Sequence, residues 1–244
     1  MIDLHCHILP FIDDGAQSMT EAVEMAKIAW ESGTNILVAT PHCCRRVGWS
    51  GFFAEEIKSR IFLFRQALEE CDIPIRIYAG MEVFATPELP ALYHDGKLLT
   101  IANSRYLLLE FFFNENPEQM NLAIGAVRML GLTPVIAHPE RYDAVQRDPA
   151  LAARWFQEGS LLQLNKGSVL GSMGVRAQET AWWLLNRGIA HVVASDAHST
   201  RGRNPALQEV SRVLKERLDH AYARILLHDN PRRIVLDRNV ISVD

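Results

Sequence analysis

Histidine and carboxylate side chains recur along the chain in short clusters that follow, or end, an apolar run. The first cluster is His5-Cys6-His7, and in an extended strand its two histidines point to one side while Cys6 points away. The other candidate ligands are one acid of Asp13-Asp14-Gly15 and, further along, His42, Glu82, Glu110, His138, Asp196 and His198. Imidazole and carboxylate ligands without thiolate suit divalent transition metals, so the pattern predicts a metal site.

The charge of this set predicts more than one cation. With one of Asp13 and Asp14 included, the set holds five histidines and four carboxylates. Glu110 lies within an apolar run, where an unpaired carboxylate is costly to bury, and four neighbouring carboxylates would repel one another without cations. Nine ligands exceed the needs of one metal and suffice for three if a carboxylate bridges. The donor types favour Mn, Fe or Zn over Ca or Mg.

Two arginines near the clusters predict an anionic substrate. Three divalent cations would leave the site positively charged, which attracts anions. Arg141 follows His138 by three residues and Arg203 follows His198 by five, so we expect both to face the same rim. Guanidinium groups match phosphate oxygens bidentately, and Arg201 is an alternative to Arg203 in this role.

Seven short apolar segments predict strands that are covered on both faces, because they do not alternate with polar residues. They are residues 2–5, 35–40, 75–80, 106–111, 133–138, 161–165 and 191–195. Helical patterns fill the intervals at 20–32, 54–71, 121–130, 149–157, 175–186 and 205–218. Alternating strands and helices imply a parallel α/β fold. An open doubly wound sheet fits this alternation, but only a closed ring brings six strand ends around one point. We therefore predict a single domain over residues 1–244 with a distorted (β/α)7 TIM-like barrel, whose site lies at the carboxyl rim of the strands.

Composition excludes several other classes of protein. The net charge of -4 does not favour nucleic-acid binding, and no apolar run approaches the ~20 residues of a membrane-spanning helix. The first residues contain Asp3 and no basic region, so we expect no signal peptide and a cytoplasmic location. The 4 cysteines include no CxxC pair and are expected to be reduced. None is followed by an arginine six residues later, which argues against a cysteine-based phosphatase.

The chain resembles the polymerase and histidinol phosphatase (PHP) superfamily in four motifs: Asp3-Leu4-His5-Cys6-His7, Ala39-Thr40-Pro41-His42, His138-Pro139-Glu140-Arg141 and Ser195-Asp196-Ala197-His198. Two longer stretches, over residues 8–15 and 135–141, are similar to the bacterial PHP-type protein tyrosine phosphatases of capsule and exopolysaccharide loci. The resemblance covers nearly the whole chain.

The resemblance implies a PHP-fold barrel with three metals, often manganese. One metal would bind His5, His7, Glu82 and Asp196, a second Glu82, Glu110 and His138, and the third Asp14, His42 and His198. Catalytic roles fall to Arg141, Arg203, Asp14 and His42, with the arginines holding phosphate. The implied substrate is phosphotyrosine in the tail of a tyrosine autokinase that controls polysaccharide export. The loop over residues 43–53, with Arg45, Arg46, Trp49 and Phe52, departs from the recognised pattern.

The predicted reaction is metal-assisted hydrolysis of a phosphomonoester without a protein nucleophile. Three alternatives remain open from the sequence. The first is a PHP phosphoesterase that acts on a small metabolite such as histidinol phosphate. The second is a metal-dependent amidohydrolase, which would use a bridging lysine, and the lysine nearest a strand end is Lys166. The third is a non-catalytic binding module that has kept the fold.

Overall fold

The computed structural model describes residues 1–43 and 53–242, and nine strands lie among them. They are β1 (Ile2–Cys6), β2 (Ile36–Ala39), β3 (His42–Cys43), β4 (Arg76–Ala79), β5 (Glu82–Phe84), β6 (Tyr106–Glu110), β7 (Thr133–Ala137), β8 (Leu161–Asn165) and β9 (Val192–Ala194). All seven predicted strands are present, each within two residues of its predicted ends. The short strands β3 and β5 were not predicted, so His42 and Glu82 lie within strands instead of beyond them.

Eleven α-helices lie in the described ranges and mostly connect consecutive strands. They are α1 (Met19–Glu31), α2 (Ala54–Glu70), α3 (Leu89–His94), α4 (Pro117–Met129), α5 (Asp143–Arg147), α6 (Ala150–Gln157), α7 (Lys166–Leu170), α8 (Val175–Leu185), α9 (Gln208–Arg217), α10 (His220–Arg224) and α11 (Asn230–Val235). Ser18 begins α1 as its N-cap, because its hydroxyl accepts the backbone N–H of Glu21 at 3.0 Å. No helix in the described part of the chain has the length and apolar character needed to cross a bilayer.

Every strand pair in the described ladders is parallel. Strands β1, β2 and β4 form one sheet, and the second sheet has the order β3-β5-β6-β7-β8-β9. Two residues separate β2 from β3, and two separate β4 from β5, so the chain passes twice from the first sheet directly into the second. The predicted parallel α/β class is confirmed. The ladders form two sheets, so closure into one barrel stays a prediction.

Alternate residues of the strands enter two apolar clusters, which explains the continuously apolar segments. In β6, Leu107 and Leu109 join the large cluster beneath the helices, whereas Tyr106 and Leu108 join a smaller cluster on the opposite face. The same alternation is found in β2, β7, β8 and β9. Each buried leucine, isoleucine or valine contributes about 1.5–3 kcal/mol to folding. Glu110 shares the side of Tyr106 and Leu108, and therefore lies at the carboxyl end of the smaller cluster.

Candidate metal centre

The carboxyl ends of the strands bring all nine predicted ligands into one cluster. Each has a nitrogen or oxygen atom within 3.5 Å of a nitrogen or oxygen atom of another member. His5 lies in β1, His42 in β3, Glu82 at the start of β5 and Glu110 at the end of β6, and His138 directly follows β7. The loops after β1 and β9 supply the other members, which are His7, Asp14, Asp196 and His198.

Glu82 lies at the middle of this cluster. Its Oε2 atom is 3.0 Å from His42 Nδ1, 3.2 Å from His7 Nε2 and 3.3 Å from His5 Nε2. Its Oε1 atom is 2.9 Å from His138 Nε2. Glu82 is fully buried, and its Oε2 makes no hydrogen bond of acceptable geometry within the described residues. Burial alone would raise the pKa of Glu82, but the surrounding imidazoles hold it well below its usual range. An ionised carboxylate oxygen that faces three ring nitrogens in this way fits a bound cation.

The Nδ1 atoms of His5 and His7 are held from outside the cluster. His5 Nδ1 donates to Gln163 Oε1 at 2.8 Å, and the amide of Gln163 is oriented by its own donation to the Leu164 carbonyl at 2.8 Å. His7 Nδ1 donates to Asp13 Oδ2 at 2.7 Å. The Nε2 atoms of the two rings therefore face each other across 3.1 Å at the centre. Outer acceptors that fix the opposite ring nitrogen are the usual support of metal-binding histidines.

The Asp13-Asp14-Gly15 turn separates the roles of its two acids. Asp13 Oδ1 accepts the Gly15 N–H at 2.9 Å and its Oδ2 accepts from the His7 ring, so both Asp13 oxygens are occupied by hydrogen bonds from the protein. A Cβ atom at Gly15 would lie 1.9 Å from the His7 carbonyl oxygen, and only glycine allows this close approach. Asp14 Oδ1 lies 3.2 Å from His198 Nε2. Burial tends to raise the pKa of Asp14, but His198 and the neighbouring imidazoles lower it to about 2, which leaves an ionised ligand.

Two histidines show how strongly the carboxylates attract positive charge. Burial alone would lower the pKa of His42, but Glu82 and Glu110, whose Oε2 atoms lie 3.0 and 3.2 Å from its Nδ1, raise it to about 11. Burial likewise lowers the pKa of His7, and Asp13 reverses that effect and raises it to about 9. Divalent cations would experience the same attraction, because protons and metals compete for the same imidazole nitrogens.

The two predicted arginines converge on Asp196. Its Oδ2 atom is 2.5 Å from Arg203 Nη2 and 3.3 Å from Arg141 Nη1. The arginine side chains are 32% and 19% exposed, whereas that of Asp196 is 1% exposed. They therefore lie between the buried cluster and solvent, where an anionic substrate would arrive. Arg201 is exposed, and its side chain has no ion pair with the described residues, which favours Arg203 of the two candidates.

Two cluster members have left-handed backbone conformations. The φ angles of His138 and Asp196 are 34° and 50°. A non-glycine residue in this region costs about 1–3 kcal/mol and persists where the surroundings hold it. For Asp196 these surroundings include its N–H bond to the His5 carbonyl at 2.9 Å and the Asn165 amide, which donates to its Oδ2 at 2.5 Å. Such strain concentrates at functional sites.

Within the described residues, three groups of side chains have ligand atoms close enough to hold a metal ion. Their members are His7, Asp14, His42 and His198; His5, His7 and Asp196; and His42, Glu82 and Glu110. Within each group the ligand atoms lie within 4.8 Å of one another. The groups resemble the partition implied by the resemblance, except that His7 joins the first group, His42 replaces His138 in the third and Glu82 is absent from the second.

Strand β8 supplies two polar residues that the sequence analysis did not single out. Gln163 supports His5, and Asn165 supports Asp196. The Asn165 N–H in turn donates at 2.9 Å to Glu140, a fully buried acid between His138 and Arg141. A signal existed, because Gln163 and Asn165 are polar, two residues apart and set in a buried apolar strand.

The loop over residues 43–53, which departs from the recognised pattern, falls largely outside the described part of the chain. Of the residues named there, Arg45, Arg46, Trp49 and Phe52 are not described. Cys6 is a buried free thiol and Cys71 an exposed one. Burial raises the pKa of the Cys6 thiol well above its ordinary value, so it is not a thiolate nucleophile.

Parallel strands that gather histidines and carboxylates beside two arginines define the class of metal-dependent hydrolases that act on anionic esters. The family described as "Capsular polysaccharide synthesis, CpsB/CapC" matches residues 1–236. The chain belongs to this family, and the predicted relationship to PHP-type tyrosine phosphatases is confirmed.

Named relatives agree with this membership along nearly their whole length. The chain is 32% identical over 219 residues to tyrosine-protein phosphatase YwqE of Bacillus subtilis, covering 88% of this chain and 84% of the relative. It is 30% identical over 243 residues to tyrosine-protein phosphatase CpsB of Streptococcus pneumoniae, covering 98% and 99%. A crystal structure from a study of these two proteins, described as unique metal-dependent tyrosine phosphatases, superimposes with a TM-score of 0.93 at 29% identity and covers 100% of this chain and 97% of that chain.

Proposed function

We propose that the protein is a metal-dependent tyrosine-protein phosphatase that acts on a tyrosine-phosphorylated protein in capsular or exopolysaccharide synthesis. The observation that carries this proposal is the joint position of the nine-ligand cluster and two arginines at one edge of the strands. The names of the relatives and the family description support the substrate class.

The proposed metal ligands are those of the sequence analysis: His5, His7, Asp14, His42, Glu82, Glu110, His138, Asp196 and His198. The three ligand groups support three divalent cations, and the nitrogen and oxygen donors favour Mn, with Fe or Zn as alternatives. Such cations, when bound, supply positive charge for phosphate oxygens and a water molecule of lowered pKa. The buried Glu82 Oε2 atom, which lacks a hydrogen bond to the described residues, supports this use of the cluster.

The side chains of the protein then divide the remaining work. Arg141 and Arg203 bind phosphate oxygens and stabilise the charge that develops on them during hydrolysis. Gln163 and Asp13 hold the rings of His5 and His7, so that their Nε2 atoms stay directed at the centre. Among the cluster members, Asp14 and His42 have the most exposed side chains, at 47% and 11%. We therefore propose that Asp14 and His42 are the cluster members that lie next to the bound substrate.

The contacts of Lys166 argue against the amidohydrolase alternative. Its ammonium group donates to the carbonyl and side-chain oxygens of Asn204 and to the Ala206 carbonyl. These bonds hold Lys166 in a structural role, away from the ligand cluster. A lysine that bridges two metals would need its nitrogen at the centre instead. The small-metabolite phosphoesterase remains the second candidate, because the same centre would hydrolyse any accessible phosphomonoester.

We infer that the two sheets close into the predicted (β/α)7 barrel within a single domain. The Asp196 N–H donates to the His5 carbonyl at 2.9 Å, and the His7 N–H donates to the Ala197 carbonyl at 2.9 Å. A parallel bridge pairs Cys6 with Ala197. These bonds join the segment after β9 to β1 and support a ring in which β2 with β3, and β4 with β5, each count as one strand.

The finer assignment of partner and location follows from the resemblance. We propose that the substrate is the phosphotyrosine-bearing tail of a tyrosine autokinase, and that the reaction takes place in the cytoplasm.

The proposal is tested by comparing hydrolysis of a phosphotyrosyl peptide and histidinol phosphate by the Mn-loaded protein. We expect preference for the peptide, with activity lost in His42→Ala and Arg141→Ala. His94→Ala and Arg147→Ala are matched controls at exposed positions on α3 and α5, and should behave as wild type. Preference for histidinol phosphate would contradict the proposed substrate class but would still support a metal-dependent phosphatase centre. Turnover of neither compound would overturn the phosphatase itself.

A further inference from the structure

Two phenylalanines lie directly beyond two of the candidate ligands. Phe84 follows Glu82 by two residues and ends β5, and Phe112 lies two residues beyond Glu110, the last residue of β6. Residues two apart in an extended strand point to the same side, so Phe84 shares the side of Glu82. The β5–β6 register also pairs Phe84 with Glu110. Phe84 therefore lies beside Glu110 at the carboxyl end of the strands, and Phe112 follows in the segment directly after Glu110.

The two rings contact each other in a defined geometry. Their centroids are 4.5 Å apart and their planes are inclined at 65°, an edge-to-face arrangement. Phe84 is 6% exposed, whereas Phe112 is 41% exposed. The buried ring thus fixes the orientation of a ring that is open to solvent. A single exposed phenylalanine is ordinary on a protein surface, so its position beside the ligand cluster is the informative part.

The next residue along the chain connects this aromatic pair to the candidate phosphate site. The Arg141 guanidinium lies 4.5 Å from the centroid of the Phe113 ring, and the same side chain reaches Asp196. The Asp143 N–H donates to the Phe113 carbonyl at 2.8 Å, which ties the segment after β6 to the segment that carries Arg141. An anion bound by Arg141 would therefore lie close to the backbone that carries Phe112.

We propose that Phe112, oriented by Phe84, forms the wall against which the phenyl ring of a phosphotyrosine packs, and that it selects aryl over alkyl phosphomonoesters. This inference rests on the proposed phosphatase function. One oxygen atom joins the ring of phosphotyrosine to its phosphorus, so the ring lies immediately beside a phosphate held at the centre. A fixed, half-exposed phenylalanine at that position provides an edge or face for aromatic packing. Phosphoserine has no ring, and three carbon atoms separate the imidazole of histidinol phosphate from its phosphate oxygen, so neither places a ring at this position.

The test measures binding of phenylphosphonate and methylphosphonate to the Mn-loaded protein by calorimetry, because neither compound is hydrolysed. In wild type we expect phenylphosphonate to bind more tightly. In Phe112→Ala the ratio of the two affinities should fall by roughly threefold to tenfold, with methylphosphonate affinity within about twofold of wild type. Phe112→Leu, which keeps an apolar cover over Phe84, should give an intermediate ratio. With a phosphotyrosyl peptide, KM should rise in Phe112→Ala while kcat is retained.

Phe62→Ala is the matched control, because Phe62 is 62% exposed within α2 and should leave the ratio unchanged. The proposed role of Phe112 would be wrong if both variants lost affinity for the two phosphonates equally, or if neither variant lost affinity for phenylphosphonate. Both of these outcomes would leave the phosphatase proposal standing. A wild-type protein that binds neither phosphonate and hydrolyses no phosphomonoester would overturn both.

Discussion

Replacing Asp13 by asparagine removes one negative charge beside the candidate metal centre at nearly constant side-chain size. Asp13 Oδ2 accepts from His7 Nδ1 at 2.7 Å and from the His42 backbone N–H at 3.0 Å, and Oδ1 accepts from the Gly15 N–H at 2.9 Å. Asparagine offers only one oxygen, so its NH2 group must face one of these donors. At least one bond is lost, and the bond to His7 loses its charge.

The expected cost follows from these two changes. A hydrogen bond to a charged group contributes about 1.5–3 kcal/mol and a neutral one about 1 kcal/mol. We therefore expect Asp13→Asn to weaken the support of the His7 ring, a proposed metal ligand, by about 1.5 kcal/mol, which is about a tenfold loss of metal affinity. Saturating metal should restore most of the activity, because Asp13 does not border the substrate.

Metal affinity is measured by titrating Mn²⁺ into metal-depleted protein in the calorimeter, and hydrolysis is then measured at saturating metal. Asp95→Asn is the control, since Asp95 ends α3 with a side chain that is 58% exposed. Affinity of Asp13→Asn within twofold of wild type would refute the view that Asp13 orients His7 for a metal.

Three further predictions follow from the same structure. Arg203→Lys should lower kcat/KM for a phosphotyrosyl peptide by about tenfold or more, because a bidentate contact is lost, whereas Arg201→Lys should stay within about twofold; equal losses would contradict our choice of Arg203. Because the pKa values of His7 and His42 are raised to about 9 and about 11, both should carry protons at pH 7 without metal. Metal binding should then release about two protons and strengthen as pH rises, which calorimetry in buffers of different ionisation enthalpy checks; zero release would refute it. Burial lowers the pKa of His191 from 6.5 to about 4. As the pH falls, the His191 side chain of the unfolded chain therefore becomes protonated before that of the folded protein. The contribution of His191 to the free energy of unfolding should be complete above pH 6.5 and should fall by about 3 kcal/mol towards pH 4. Urea unfolding at different pH values measures this change, and His191→Gln should lack this component of the pH dependence.

Much of the fold followed from local patterns. The strands β2, β6, β7, β8 and β9 are apolar because alternate residues enter two different clusters, and such a run of apolar residues can be recognised without knowing the neighbours. The strands β3 and β5 could not be predicted in the same way. They have two and three residues, begin with His42 and Glu82, and exist because the preceding strands continue past a short interruption into the second sheet.

The candidate ligands could be chosen from the sequence, whereas the residues that orient them by hydrogen bonds could not. Each ligand type stood out because a histidine or an acid at the end of an apolar run has no ordinary packing role. The acceptors behind the ligands did not stand out, since Gln163 lies on β8 and far in sequence from His5, which it orients. A hydrogen bond between residues of distant strands depends on the register of the sheet, and no local pattern encodes that register.

The sequence by itself determined which chemistry is available. Nine candidate nitrogen and oxygen ligands and two arginines favour cations and an anionic substrate. Only the tertiary structure decided which neighbour takes which role. In the turn that packs Gly15 against the His7 carbonyl, Asp13 accepts a hydrogen bond from the His7 ring and Asp14 faces the ring of His198. The same reason applies to Arg203 and Arg201, because residues so close in sequence differ only in the direction that the folded loop gives them.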